Sequence, residues 1–144
     1  MQTFLPYPEF DRSASVLDRQ RLGKQRVEAY QIMRAITVGT GWSRHPIVKM
    51  WAGSEGALKL YSNAMVEEWI RRGYRNSMEI YDVSGLKMEY PWWLGLEEFH
   101  SSHRAALLAK DYEHYSTYGW RELPRIQYVW YKNHNDAIAL EQEG

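Results

Sequence analysis

From Ser15 to Ile36 the chain has no proline and a single glycine, Gly23, among good helix formers, so one long helix has to dominate the fold. Ser15 followed three residues on by Asp18 gives a start resembling a capping box. Gly39-Thr40-Gly41 ends the helix and opens a loop. A second long helix runs from Glu55 to Arg72, with Ser54 as cap and Gly73 as stop. Its stripe Leu58, Tyr61, Met65, Trp69 follows the spacing of a core-facing side. Pro46 suits the first position of a short helix through Trp51, and a third main helix over 97–115 follows Pro91-Trp92-Trp93-Leu94-Gly95. Pro6 and Pro8 make residues 1–10 an extended arm. The aromatic tail from Tyr118, with Pro124, reads as irregular chain wrapped over the helices. The expectation is an all-α fold: residues 1–144 as a single compact domain of about three main helices, with an extended N-terminal arm and an aromatic C-terminal tail.

The chain has no cysteine, which excludes disulfides, thiolate zinc sites and cysteine nucleophiles. Seven Trp and eleven Tyr are more than one core of this size absorbs, so some belong to a recognition surface. Net charge is zero, but residues 1–78 hold 12 Lys/Arg against 7 Asp/Glu and residues 79–144 hold 6 against 11. Either one half faces phosphates, or the imbalance merely separates two solvated faces. No apolar run reaches the roughly 20 residues of a membrane span. The first residues lack the pattern of a signal peptide, which makes the cytoplasm the expected compartment, nucleoid-associated when bound to DNA.

Chemistry concentrates on the first long helix. At about 100° per residue, Arg21, Lys24 and Glu28 share one sector, while Arg19, Gly23 and Arg26 share another. The first set is either a carboxylate placed among cations for a purpose or a solvated face with ordinary Lys24–Glu28 pairing. A mid-helix glycine costs about 1 kcal/mol against alanine, and close approach by another helix or a ligand would explain Gly23. Glu97-x-x-His100-x-x-His103 invites a metal, yet it lacks the i, i+4 histidine pair of zincins. No metal or cofactor is expected there, and His100, Ser101, His103 and Arg104 are open to DNA-contacting or structural roles. His45 is open between capping the Pro46 helix and touching phosphate beside Arg44 and Lys49.

Gln20-Arg21-Leu22 followed six residues later by Glu28 resembles the first helix of the endonuclease V-type pyrimidine-dimer glycosylases of phage, where Gln-His-Leu precedes the catalytic glutamate by that interval. Glu68-Trp69-Ile70-Arg71-Arg72-Gly73-Tyr74 resembles that family's helix end, and Trp130-Tyr131-Lys132 its C-terminal Trp-Tyr-Lys. Pro91 to Gly95, Phe99 to His103 and Leu107 to Lys110 are similar to its bacterial and viral relatives. The resemblance implies a DNA-repair N-glycosylase with abasic-site lyase activity, acting on double-stranded DNA with damaged bases and needing no cofactor, membrane or obligate protein partner. It implies an N-terminal α-amine as nucleophile, here that of Met1, assisted by Glu28. An ordinary α-amine titrates near 7.7–8.0 and a lysine near 10.4, so roughly a quarter of the former against ~0.1% of the latter is free base at pH 7.4. Gln20, Arg21, Lys24, Arg26, His45, Lys49, His100, His103 and Lys132 would contact DNA, and Trp130 and Tyr131 would stack on bases. Two positions depart from the phage pattern: Gln2 replaces a threonine exposed by loss of methionine, and Val27 replaces an arginine beside the glutamate. A same-fold glycosylase for another damaged or modified base, and a non-catalytic DNA- or protein-binding module, are the other readings.

Overall fold

The computed structural model describes residues 1–39, 41–133 and 136–141, with 133 and 136–141 as backbone. It is mostly helical, in the order α1 (Phe10–Val16), α2 (Arg19–Val38), α3 (Pro46–Trp51), α4 (Glu55–Arg71), α5 (Glu97–Lys110) and α6 (Tyr112–Tyr115). A 3-10 turn (Ser116–Tyr118) and two strands, β1 (Gln127–Asn133) and β2 (Asp136–Glu141), follow.

The long helix starts later than Ser15. That serine lies inside α1, donating its hydroxyl proton to the Arg12 carbonyl at 2.7 Å. Leu17 and Asp18 are extended (ψ 137° and 161°), and Asp18 caps α2 by accepting the Arg21 N–H at 3.4 Å. Gly39 closes α2 in the left-handed region (φ 78°), as its lack of a Cβ permits. The third main helix stops short of 115: Asp111 turns out to φ −152° and its side chain caps the separate α6 at the His114 N–H. The tail is the larger correction. Residues 120–126 wrap irregularly, with Trp120 stacked 5.6 Å from Tyr115 and donating its indole N–H to the Tyr7 hydroxyl at 2.8 Å. Residues from Gln127, however, form an antiparallel hairpin in which Tyr128 faces Leu140 and Trp130 faces Ile138. The alternation Tyr128, Trp130 inward is the period of a half-buried strand.

α2 packs along α4, with Gly23 against Trp69. A Cβ there would lie 3.1 Å from Cζ3 of Trp69, so the indole occupies the space where a side chain would stand. Trp51, Trp93, Tyr61 and Phe99 fill the core between α3, α4 and α5.

The N-terminal arm is extended as expected, but it is buried. Gln2 through Leu5 are each less than a tenth exposed. Such a segment brings backbone groups that no ladder satisfies, and side chains must do so. The Trp51 indole N–H reaches the Thr3 hydroxyl (3.0 Å). The Leu5 N–H goes to Nδ1 of His103 (2.9 Å), while Nδ1 of His100 donates to the Leu5 carbonyl (2.8 Å) and its Nε2 accepts the Gly95 N–H (2.9 Å). Arg104 donates to the Pro6 carbonyl at 2.8 Å and pairs with Glu97 and Glu122. His100 and His103 are 1% and 0% exposed, so the DNA contacts expected of them are corrected. Their imidazoles hold the arm because i, i+3 spacing on α5 aims both at one extended segment.

This clamp sets an acid sensitivity. Burial pushes His103 from 6.5 down to about 3, with His100 and Arg104 adding to the fall, and a proton on Nδ1 would face the Leu5 N–H donor to donor. The unfolded chain binds a proton that the folded state refuses, so His103's contribution is complete above pH 6.5 and is lost as pH falls toward 3. Urea midpoints are expected to report a loss of about 2 kcal/mol between pH 6.5 and 5, with His45 and His100, also lowered by burial, acting in the same direction. A flat profile over that interval would show that the clamp does not control stability.

Candidate active site and DNA surface

Gln25 organises the site, and sequence reasoning passed over it. It is fully buried on the inner face of α2, in line with Leu22, Ala29 and Ile32. Its carbonyl oxygen accepts the Phe4 N–H at 3.0 Å and the Tyr61 hydroxyl at 2.5 Å. Its amide donates to the Gln2 carbonyl at 2.9 Å and to a Glu28 carboxylate oxygen at 2.7 Å. Those four contacts use the full capacity of a primary amide. One side chain thus fixes the start of the arm and the carboxylate relative to each other. The available signal was a glutamine within an apolar stripe, since a buried amide needs several partners.

Above that pair opens a cavity of about 360 Å³ lined by Met1, Gln2, Phe4, Gln20, Arg21, Lys24, Gln25, Glu28, Lys110 and Tyr128. Arg21, Lys24 and Glu28, placed on one helix sector by spacing, therefore meet in one concavity with the chain start. Burial pushes the Glu28 carboxyl above its ordinary value, opposed by the Met1 ammonium, Lys24, the Gln25 amide and Lys110. Burial also lowers Lys110, helped by Arg21 and Lys24 and opposed by Glu28. Lys110, at the end of α5, is a further cation of the site and the alternative amine within it. The arrangement can offer an amine to an electrophilic carbon beside a carboxylate that exchanges protons, with cations around for phosphates.

Gln20, Lys24 and Glu28 also line a neighbouring groove of about 960 Å³ on the other side, with Arg19, Gly23, Val27 and Trp69. Arg26 lies over Trp69 at 4.1 Å and donates to the Asn76 side chain at 2.8 Å, so protein contacts hold the guanidinium that was expected on phosphate. Arg19 stacks on Tyr74 at 5.0 Å, and Tyr74 on Trp69 at 4.5 Å.

The remaining expected contacts separate. His45 caps α3, its Nδ1 accepting the Ile47 N–H at 3.1 Å, and burial together with the Met1 ammonium lowers its pKa. Capping and nearness to the chain start thus coincide in one residue. Lys49 and Lys132 are exposed and line a third groove beside Tyr131. Trp130 and Tyr131 are 3% and 5% exposed and belong to the core, which corrects the base-stacking role expected of them. The reason is the hairpin: β1 lays these rings against α3 and α5, with Trp130 meeting His45 at 5.8 Å and Tyr131 meeting Phe99 at 5.9 Å.

Replacing Gln25 by leucine removes four hydrogen bonds at once and leaves buried backbone groups of the arm without partners. A stability loss of roughly 2–4 kcal/mol is expected by chemical denaturation. Stability within about 0.5 kcal/mol of the parent would dismiss the arm–carboxylate link.

Among the described residues, no helix is long and apolar enough to cross a membrane. No curated protein and no solved structure matches this chain. A family model described as pyrimidine dimer DNA glycosylase matches residues 1–82, which carry the buried arm, Gln25, Glu28 and the α2–α4 pair. With more than half its length under that model, the chain belongs to the pyrimidine dimer DNA glycosylase family.

Proposed function

We propose that this chain excises pyrimidine dimers from double-stranded DNA and then cleaves the strand at the abasic site. The amine of Met1 attacks C1′ of the dimer's 5′ nucleotide. A nitrogen–C1′ bond forms, the glycosidic C1′–N bond breaks, and the 5′ base takes up a proton while remaining joined to its 3′ partner in the dimer. Loss of the second amine proton and opening of the sugar ring give an imine at C1′. A proton then leaves C2′, the C3′–O bond breaks, and the 3′ phosphate departs. Glu28 assists ring opening and carries protons between these steps, and its negative charge stabilises the cationic sugar. Arg21, Lys24 and Lys110 hold the flanking phosphates, which gives affinity without lesion specificity. The observation that carries the reading is the shared cavity of Met1 and Glu28, tied through Gln25.

Incubation with ultraviolet-irradiated supercoiled plasmid is the test, with unirradiated plasmid and an oxidised-base duplex as controls. Nicking confined to the irradiated plasmid is the expected result. Nicking only of the oxidised-base duplex would reassign the lesion, and binding without nicking would leave a DNA-binding module.

A further inference from the structure

Trp130 and Tyr131 lie in the core, whereas the loop between α2 and α3 carries an exposed indole. Trp42 is 50% exposed, and among the described residues its indole N–H has no hydrogen-bond partner. A run of ring contacts links it to a wall of the cavity. Its ring meets His45 edge-on at 6.1 Å, His45 meets Trp130 at 5.8 Å, and Trp130 meets Tyr128, a wall of the Met1–Glu28 cavity, at 5.9 Å. The Met1 ammonium acts electrostatically on His45, the residue against which Trp42 rests. α3, which begins beside this loop, is tied to the arm by the Trp51–Thr3 hydrogen bond. Arg44 and Lys49, both exposed, supply positive charge on the same short segment.

We propose that Trp42 stacks on the face of an unstacked nucleobase next to the reacting sugar. This inference rests on the reading of the chain as a DNA glycosylase. A flat ring flanked by cations suits a base between phosphates: the cations take the backbone and the indole takes the π-face. The contact ignores base identity, so it would grip a duplex already weakened by a lesion rather than read its sequence. A half-exposed loop ring contributes little to the core, so its removal leaves the fold intact.

The probe is a duplex with a stable reduced abasic analogue beside 2-aminopurine, which binds without reacting and reports stacking by its fluorescence. The parent is expected to quench the 2-aminopurine. Trp42→Ala is expected to lose the quench and to bind about ten- to a hundredfold more weakly, with an unchanged salt dependence because no phosphate contact is lost. Trp42→Phe is expected to keep the quench and most of the affinity. Trp42→Ala with parental quench and affinity would overturn the proposal, as would weaker binding with the quench intact. Failure of the activity reading looks different: the parent would not nick irradiated DNA, yet its quench would still depend on Trp42. A parent that binds no DNA overturns both.

Discussion

Glu28→Gln is expected to fold like the parent, to bind damaged duplex within about twofold of it, and to nick that duplex about 10³-fold more slowly. The fold is expected to survive because the new amide keeps an oxygen where the Gln25 amide now donates at 2.7 Å. What is lost is the acid–base group: an amide neither accepts a proton from the sugar nor returns one, and it puts no negative charge beside the cationic sugar. The wild-type pH profile adds a second check. Burial holds the Glu28 carboxyl above its ordinary value, and the ionised form is the one that accepts protons. The carboxylate component of the acid limb should therefore lie above that of an ordinary glutamate, and Glu28→Asp should move that component alone. Nicking at the parental rate by Glu28→Gln would remove Glu28 from the mechanism.

How much of this was legible beforehand differs by feature. α3, α4 and the Gly39 end of α2 follow from local rules, whereas α2 has Asp18 as its cap and not Ser15. The Arg21–Lys24–Glu28 face was legible for the same reason, since helical spacing fixes which side chains neighbour one another. The hairpin was not. Aromatic alternation over Tyr128–Trp130 is short, and its burial depends on α3 and α5, which lie far away in sequence. His100 and His103 misled for a related reason. A histidine on a helix shows no sign of whether it faces solvent or a buried strand, and the strand here comes from residues more than ninety positions earlier. The match to phage-type Trp-Tyr-Lys likewise placed Trp130 and Tyr131 on DNA, while the hairpin turns both inward.

The second large effect concerns the chain start. Acetylating the Met1 amine is expected to abolish both nicking of dimer-containing DNA and the borohydride-trapped crosslink to an abasic-site duplex, each by more than about 10³-fold. Limiting reagent is used, and peptide mapping identifies material in which Met1 carries the acetyl group and Lys110 does not. Acetylation removes the lone pair that must reach C1′, so no imine forms and borohydride has nothing to reduce. The fold should tolerate the change, since the contacts that hold the arm begin at Gln2 and Met1 is only partly buried. Lys110 makes the test sharp. It lines the same cavity, and burial with Arg21 and Lys24 beside it holds its amine below the ordinary lysine value. A crosslink undiminished by acetylation and mapped to the Lys110 peptide would make that lysine the nucleophile. Trapping lost on acetylation and intact in Lys110→Met would fix the imine on Met1. The Gln25 bridge would then have a direct chemical reading, with one buried amide setting the geometry between nucleophile and proton carrier.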